Sequence, residues 1–285
     1  MTLTRLLKPR VIPALFIVTA LLAGQAQAVS GVVLDASTRA PLADAIITTS
    51  AGVTRTDEQG RFDTEGPSES VAARAPGYLR SAAKVSDETP MTLALTPFRP
   101  KAVYLSVFGV TSAALRNGAV SLADRTVINA LVIDLKGDRG LTPYRSAARE
   151  AIGAAARTTT RVPHVHDFPG LVARLHAQHL YLIARIVVFK DDPLADAHPQ
   201  WSVHTADGTP WRDGEQLQWM DPFSQDVWQH NIDVAEEAAR MGFDEVQFDY
   251  VRFPDKRGLR FAQANTRANR TEAIVGFLGA ARTRL

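Results

Sequence analysis

The chain has 285 residues, 46% hydrophobic and 22% charged, which is enough for one large or two small domains. Its 32 basic and 30 acidic side chains nearly cancel, and no basic run with interleaved aromatic residues occurs, which argues against a nucleic-acid partner. Cysteine is absent, so disulfide bonds, thiol catalysis and lipid attachment at a cysteine are excluded. This composition is typical of a soluble enzyme.

The first residues have the features of a secretory signal peptide. Basic residues between Arg5 and Arg10 precede an apolar run over residues 11–23, and residues 26–28 read Ala-Gln-Ala, the small-x-small form of a signal-peptidase site. The apolar run is short for a membrane span, although an uncleaved N-terminal anchor is the alternative. We therefore predict a signal peptide over residues 1–28, no stable membrane span after its cleavage, and a periplasmic or extracellular protein.

Residues 29–97 show short β-rich runs separated by turn residues, which predicts a small all-β sandwich. The segments over residues 31–33, 41–45, 56–62 (Thr-Asp-Glu-Gln-Gly-Arg-Phe) and 75–78 resemble the carboxypeptidase regulatory-like β-sandwich domain. This resemblance implies an accessory domain without catalytic residues. It would serve as a spacer or folding module, or alternatively bind a sugar or a partner.

Over residues 98–285 strands alternate with helices, which predicts an α/β domain with a parallel sheet and right-handed crossovers. Apolar side chains from Phe168 to Leu175 recur at helical spacing, and Asp167 is placed to cap that helix. The other predicted helices lie near residues 121–127, 228–239 and 274–278, and the four predicted strands lie near residues 102–106, 129–136, 180–190 and 246–250.

The segment from Gly242 to Pro254 carries the clearest functional signal. Because side chains alternate along a strand, Phe248 lies on one face, whereas Gln247 and Asp249 lie on the other. A carboxylate at the C-terminal end of a parallel strand lies where barrel enzymes place their catalytic groups. Asp249 is therefore the predicted catalytic residue.

Five segments, over residues 132–136, 184–191, 211–213, 219–222 and 248–254, resemble a glycoside hydrolase domain of secreted bacterial proteins, related in architecture to the α-amylase-like barrels. The resemblance implies a (β/α)8 TIM barrel that cleaves a polysaccharide or oligosaccharide by two-carboxylate chemistry and needs no cofactor.

The chain departs from this family in length. Residues 101–285 provide four predicted strands, whereas a complete barrel has eight and typically about 250 residues. We therefore expect only the first half of the barrel, truncated before the half that would carry the acid/base glutamate. Glu215 lies in a loop and Glu245 at the far end of its strand, so neither is suited to that role. Self-association through the open sheet edges is the alternative to truncation.

The alternation of side chains also predicts the floor of the site. Asp134, Arg185 and Asp249 share the inner face of three strands, which places the arginine between two carboxylates. The alternative is a structural ion pair. No metal site is predicted, because His164 and His166 precede a helix without a supporting group of carboxylates.

Nine residues are predicted to bind substrate, although several have structural alternatives. Asp221 precedes a proline and could cap a helix, Lys190 could close a turn, and the tryptophans could form a small core. The predicted substrate-binding residues are Asp134, Lys136, Arg185, Lys190, Trp211, Trp219, Asp221, Gln247 and Arg252.

Three functions therefore remain open at this point. The first is a glycoside hydrolase. The second is a non-catalytic carbohydrate-binding or cell-envelope interaction protein with the same fold. The third is an inactive remnant of such an enzyme.

Overall fold

The computed structural model describes residues 28–85, 90–155 and 163–285. The chain divides into two compact units, Met1–Phe98 and Arg99–Leu285. The predicted signal peptide lies outside the described residues apart from its last position. None of the described helices combines the length and the apolar character needed to cross a membrane.

The first unit is built from β-strands. One sheet has the order β4-β1-β7 and the other the order β3-β2-β5-β6, and alternate side chains such as Val33, Ile47 and Leu93 form one buried core. The prediction of an all-β unit is confirmed, although three strands, β3, β5 and β6, were not predicted. The strands are β1 Ser30–Asp35, β2 Ile46–Thr49, β3 Gly52–Arg55, β4 Arg61–Asp63, β5 Ser70–Arg74, β6 Ser81–Lys84 and β7 Met91–Leu95.

The second unit alternates strands and helices. Its sheet has the order β11-β10-β9-β8 with all neighbours parallel, which confirms the prediction of an α/β unit with four sequential strand-helix units. The elements are β8 Ala102–Leu105, α1 Val107–Thr111, α2 Ala113–Arg125, β9 Ala130–Lys136, α3 Ala147–Ala151, α4 Phe168–His176, β10 Tyr181–Val187, α5 Asp192–Ala197, α6 Gln225–Met241, β11 Glu245–Asp249 and α7 Arg267–Arg284.

Local chemistry explains where the helices begin and end. Asp167 caps α4 as predicted, because its Oδ1 accepts a hydrogen bond from the backbone N–H of Gly170 at 2.8 Å. Gly242 ends α6 with a φ of +97°, a conformation that glycine adopts without strain. In contrast, α2 begins well before its predicted start at Ser121, because Ser112 caps it. Its apolar stripe is weak, so the periodicity of the sequence did not predict this start.

The central strands β9 and β10 are buried on both faces, whereas β8 and β11 form the two edges of the sheet. Apolar side chains next to the β8 edge are exposed, including Phe108 at 54% and Val127 at 69%. Because all four strands are parallel, their C-terminal ends lie at the same edge of the sheet. The candidate site is built there.

Candidate active site

Three neighbouring strands carry the predicted floor of the site. Arg185 in β10 is in register with Asp134 in β9, and Val187 in β10 is in register with Asp249 at the end of β11. A β-bulge follows Arg185, because the pairing with β9 shifts by one residue at that point. The side chains of Asp134, Arg185 and Asp249 are thereby directed to one place.

The guanidinium of Arg185 binds three carboxylates. It donates to Asp134 Oδ1 at 2.7 Å through Nη1, to Asp138 Oδ1 at 3.0 Å through Nη2, and to Asp249 Oδ2 at 2.8 Å through Nε. The predicted position of Arg185 between Asp134 and Asp249 is confirmed. The side chain of Arg185 is only 12% exposed, whereas those of Asp138 and Asp249 are 47% and 40% exposed. Two carboxylates of this cluster can therefore meet a ligand.

Tyr104 on β8 completes the cluster from the edge of the sheet. Its hydroxyl donates to Asp134 Oδ2 at 2.6 Å, and the Arg185 guanidinium lies 5.5 Å from the centre of its ring. Burial raises the pKa of Asp134, although hydrogen bonds from Tyr104 and Arg185 oppose this. Burial disfavours the charge on Arg185 as well, but bonds to the surrounding carboxylates outweigh it and raise its pKa. Arg185 is therefore a fixed cation.

The backbone turns sharply at the end of β11. Tyr250 has a φ of +53°, which is unusual for an aromatic residue and costs about 1–3 kcal/mol. Its backbone N–H donates to Asp249 Oδ1 at 2.6 Å, so both oxygens of Asp249 are held, one by this N–H and one by Arg185. The strained turn thus fixes the orientation of the predicted catalytic carboxylate.

Beside Asp249, aromatic rings and cations form a second group. The Tyr250 ring packs against Trp219 with centroids 5.7 Å apart, and Arg252 lies over both rings, at 5.3 Å and 5.2 Å from their centres. Trp211 packs on Trp219 at 6.2 Å. Lys190 lies 5.4 Å from the centre of the Tyr250 ring.

Lys190 is held by two carboxylates. Its ammonium lies 2.9 Å from Asp213 Oδ2 and 2.5 Å from Glu215 Oε2. Burial disfavours its charge, but these two partners outweigh burial and raise its pKa. Glu215, which was excluded as an acid/base on sequence grounds, therefore neutralises Lys190 and makes no bond to Arg185.

A second charged cluster lies deeper in the unit. Asp191 binds Lys136 at 2.7 Å and receives two hydrogen bonds from Arg149, at 2.8 Å and 3.0 Å. All three side chains are completely buried, and Arg149 Nη1 also lies 3.2 Å from His230 Nε2. Burial lowers the pKa of Lys136 to about 8. Burial opposes the charge of Asp191 too, but Arg149 and Lys136 hold its pKa below its ordinary value. This cluster ties β9, α3, α5 and α6 together.

Five of the nine predicted substrate-binding residues have buried side chains in the structure. Asp134 supports Arg185, and Lys136 is enclosed with Asp191. Lys190 is buried and ion-paired with Asp213 and with the exposed Glu215. These side chains present almost no surface to a sugar in this arrangement, and their substrate-binding role stays a prediction. The five buried residues are Asp134, Lys136, Lys190, Trp219 and Asp221.

Trp219 and Asp221 have structural partners instead of a ligand-facing surface. The indole N–H of Trp219 donates to Asp213 Oδ2 at 2.9 Å, and its ring supports Arg252. The two oxygens of Asp221 accept the backbone N–H groups of Phe223 and Ala262, at 2.9 Å and 2.6 Å. Asp221 therefore joins two loops, and Ser224 rather than Asp221 caps α6.

Four predicted substrate-binding residues remain accessible. Arg185 is slightly exposed, Trp211 is half-buried, and Gln247 and Arg252 are exposed. Gln247 lies in the middle of β11, opposite Arg185 in the strand pairing. The substrate-binding role of these four residues, and the catalytic role of Asp249, stay predictions.

Sequence reasoning missed Asp138. This residue follows β9 in the segment Gly137-Asp138-Arg139-Gly140, so its position just after a strand end was the available signal. Gly140 closes this turn with a φ of +69°, and a Cβ there would lie 2.1 Å from Asp191 Oδ1. Only glycine fits, and the tight turn directs Asp138 toward Arg185.

No metal centre is evident in the part of the chain that the structure describes. Over residues 28–85, 90–155 and 163–285, no group of three or more histidine, cysteine, aspartate or glutamate side chains is arranged to hold an ion. Burial lowers the pKa of His164, and Arg145 adds to the effect.

The buried His230 makes the stability of the α/β unit depend on pH. Burial, followed by the charges of Arg149 and Lys136, lowers its pKa well below 6.5. Below about pH 6.5 the unfolded chain binds a proton that the folded chain does not, so stability should fall as the pH falls, by up to about 1.4 kcal/mol per pH unit. Asp191 cannot account for a loss of stability between pH 5 and 6.5. Its pKa in the folded protein is lowered, so its contribution to stability is lost only at lower pH.

The test is urea unfolding of the wild type and of His230→Gln at several pH values between 5 and 7.5. The glutamine keeps a hydrogen-bond acceptor for Arg149 but does not titrate. We expect a flatter pH dependence for the variant. Equal slopes for the two proteins in this range would contradict the assignment to His230.

The α/β unit matches a family model described as "Putative glycosyl hydrolase domain" over residues 102–285. Among solved structures, a hypothetical protein from Ruminiclostridium thermocellum ATCC 27405 is 35% identical with a TM-score of 0.55, and the match covers 64% of this chain and 92% of that chain. No curated protein matches the chain.

Two enzymes of known type are more distant. The alpha-galactosidase TtGalA from Thermus thermophilus is 15% identical with a TM-score of 0.44, and the match covers 76% of this chain and 50% of that chain. The glycoside hydrolase domain of PelA from Pseudomonas aeruginosa is 15% identical with a TM-score of 0.40, and the match covers 65% of this chain and 56% of that chain. The chain thus spans about half the length of each of these two proteins. Since the family model covers the α/β unit from its first strand to residue 285, the chain belongs to the glycosyl hydrolase domain family that this model describes.

Proposed function

We propose that the protein is a glycoside hydrolase that cleaves a polysaccharide by two-carboxylate chemistry, with Asp249 as the nucleophile or as the stabiliser of an oxocarbenium-like transition state. The observation that carries this proposal is the placement of Asp249. It stands at the C-terminal end of a parallel strand with its side chain 40% exposed, and Arg185 and a backbone N–H hold its two oxygens. Family membership supports a carbohydrate substrate.

The arrangement around Arg185 suits a reaction that develops positive charge. Three carboxylates surround one guanidinium, so the cluster carries an excess of negative charge where a sugar ring would meet it. A preorganised negative charge stabilises the cationic sugar of the transition state without having to reorganise. Arg185 acts as a positioning residue, and its bonds to Asp134 and Asp138 fix its orientation.

Asp138 is the second carboxyl group in this proposal. Asp138 and Asp249 both bind Nη2 of Arg185, at 3.0 Å and 2.8 Å, so the two carboxyl groups are neighbours. Carboxyl groups stand about 5–5.5 Å apart in retaining glycosidases, where one attacks the sugar and the other protonates the leaving oxygen. Besides Asp249, Asp138 is the exposed carboxylate bound to Arg185. It lies just after the C-terminal end of β9, and Asp249 lies at the C-terminal end of β11. The ion pair of Asp138 with Arg185 has the geometry of a charged carboxylate, so we assign Asp138 the role of a second preorganised negative charge beside Asp249.

The proposal is tested by incubating the purified protein with a panel of cell-envelope and extracellular glycans. Release of new reducing ends measures hydrolysis, and affinity electrophoresis measures binding. We expect at least one glycan to be bound and cleaved. Binding without any release of reducing ends would favour the alternative of a non-catalytic carbohydrate-binding protein, and neither binding nor cleavage would favour an inactive remnant.

We propose further that the protein acts outside the cytoplasm, with the β-rich unit as a carboxypeptidase regulatory-like spacer before the hydrolase unit. The motivation is the basic, apolar and small-residue pattern of residues 1–28. N-terminal sequencing of protein isolated from the periplasm or the medium should begin at Val29. Recovery of the uncleaved chain from the cytoplasm alone would contradict export.

A further inference from the structure

The loop that follows Asp249 carries unpaired positive charge. Between residues 250 and 262 it contains four cations and one carboxylate, and all five side chains belong to exposed residues: Arg252, Asp255, Lys256, Arg257 and Arg260. By contrast, four buried or nearly buried cations of the same unit are each bound to a carboxylate: Lys136, Arg149, Arg185 and Lys190. Within the described residues, no ion pair to a carboxylate is formed by the four cations of the loop.

Arg252 is held in place without being neutralised. Its guanidinium lies over the rings of Trp219 and Tyr250, at 5.2 Å and 5.3 Å from their centres. Contacts with ring faces leave the N–H groups at the edge of the guanidinium free, and that edge matches the two oxygens of a carboxylate or sulfate. Tyr250 directly follows Asp249, so Arg252 packs on the residue adjacent to the proposed catalytic carboxylate.

Arg260 lines a cavity of about 280 Å3 between the loop and the segment after α5. The hydroxyl of Ser202 on its wall is buried and has no hydrogen-bond partner among the described residues, and Gln200 and His204 add further polar groups. The carboxylate of Asp221 also lines this cavity, but both of its oxygens accept backbone N–H groups. Ser202 and Arg260 thus supply two hydrogen-bond donors to the wall of one cavity, and the unpaired hydroxyl calls for a partner such as an anionic oxygen.

We infer that this loop binds the acidic sugar residues of an anionic polysaccharide, with Arg252 and Arg260 each contacting a carboxylate or sulfate group. The inference rests on the proposed function, because it names the substrate class of the same site. The charged groups of the polymer would lie on the loop, and its neutral glycosidic bond would lie over Asp138 and Asp249. A nucleic acid is less suited, because its phosphates are continuous along the strand and would also meet these two carboxylates.

The test compares ligands that differ only in charge. Affinity of the 285-residue protein is measured by calorimetry for polygalacturonate against fully methyl-esterified polygalacturonate, and for dextran sulfate against dextran. We expect the charged member of at least one pair to bind about tenfold or more tightly, since hydrogen bonds between an arginine and an anionic group are stronger than those between neutral groups. The two pairs distinguish carboxylate from sulfate recognition.

Variants assign the effect to the loop. Arg252→Gln and Arg260→Gln should each weaken binding of the charged polymer by about tenfold and lower its preference over the neutral one. Arg252→Lys keeps the charge and the ring contacts but loses the planar guanidinium that can bind two oxygens at once. Its affinity for the charged polymer should lie between those of Arg252→Gln and the wild type. The matched control is Arg282→Gln, an exposed arginine near the end of α7, at the opposite end of the sheet, which should bind like the wild type.

Equal affinity for the charged and neutral members of both pairs would overturn the inference. So would a loss of binding in Arg282→Gln as large as in Arg252→Gln, or tighter binding of a DNA oligonucleotide that the same loop variants abolish. Cleavage of a neutral glycan by a protein with no charge preference would remove this inference and leave the proposed hydrolase intact. Loop-dependent binding of the acidic polymer without cleavage of any glycan would instead support the inference and remove the hydrolase.

Discussion

Replacing Asp191 by asparagine is expected to destabilise the α/β unit by about 3–5 kcal/mol, the cost of leaving buried charges without their partner. The carboxylate of Asp191 is completely buried and forms ion pairs with both Lys136 and Arg149, which are also completely buried. It also caps α5, since its Oδ1 accepts the backbone N–H of Leu194 at 3.1 Å. Lys136 can lose its proton, because its pKa is already lowered to about 8, but the guanidinium of Arg149 cannot.

The effect is measured by urea unfolding at pH 7.5, followed by tryptophan fluorescence. All four tryptophans lie between residues 201 and 228, so the signal reports on the α/β unit alone. Lys136→Met should cost less, because the two hydrogen bonds between Arg149 and Asp191 remain. The matched control is Asp255→Asn in an exposed loop, which should change stability by about 0.5 kcal/mol or less. A cost for Asp191→Asn no larger than that of the control would show that the buried cluster does not stabilise the fold.

The alternation of side chains predicted the floor of the site because it depends only on neighbouring strands. Once β9, β10 and β11 are parallel and in sequence, Asp134, Arg185 and Asp249 must share a face. The same rule placed Lys136 beside Asp134, two residues along the strand. It could not show that Lys136 is buried, because that depends on Asp191 and Arg149, which arrive from separate loops and helices.

Contacts between loops explain the other differences between the sequence analysis and the structure. Asp221 and Trp219 lie in a long connection whose side chains fill their own small core, so an aromatic or acidic residue there has structural partners as readily as a ligand. Asp138 was overlooked because it lies beyond the strand pattern, in a turn set by Gly140. The third strand ends at Val187 rather than Lys190, because the following apolar residues pack into the core without extending the ladder. Periodicity identifies strands and faces, but contacts between loops depend on the folded chain.

Replacing Asp249 by asparagine is expected to lower kcat for glycan hydrolysis by at least about 10²–10³-fold, the loss that follows removal of one preorganised electrostatic contact to a transition state. Asparagine has nearly the same shape, but it can neither attack the sugar nor stabilise its positive charge. Arg185 would keep its bonds to Asp134 and Asp138, so the fold should be preserved. Glycan affinity should change little, because the substitution removes an interaction that strengthens mainly in the transition state.

The measurement is kcat and KM on whichever glycan of the panel is cleaved, together with unfolding by urea. Asp255→Asn is again the matched control, since it removes the same charge from the loop just after Asp249 and should keep wild-type kcat. Arg185→Met should behave differently from Asp249→Asn and lower both stability and kcat, because three carboxylates would then face one another without their cation. Loss of kcat in Asp249→Asn with unchanged KM and stability would identify Asp249 as the residue that acts in the transition state. Wild-type turnover by this variant would mean that the catalytic carboxylate lies elsewhere.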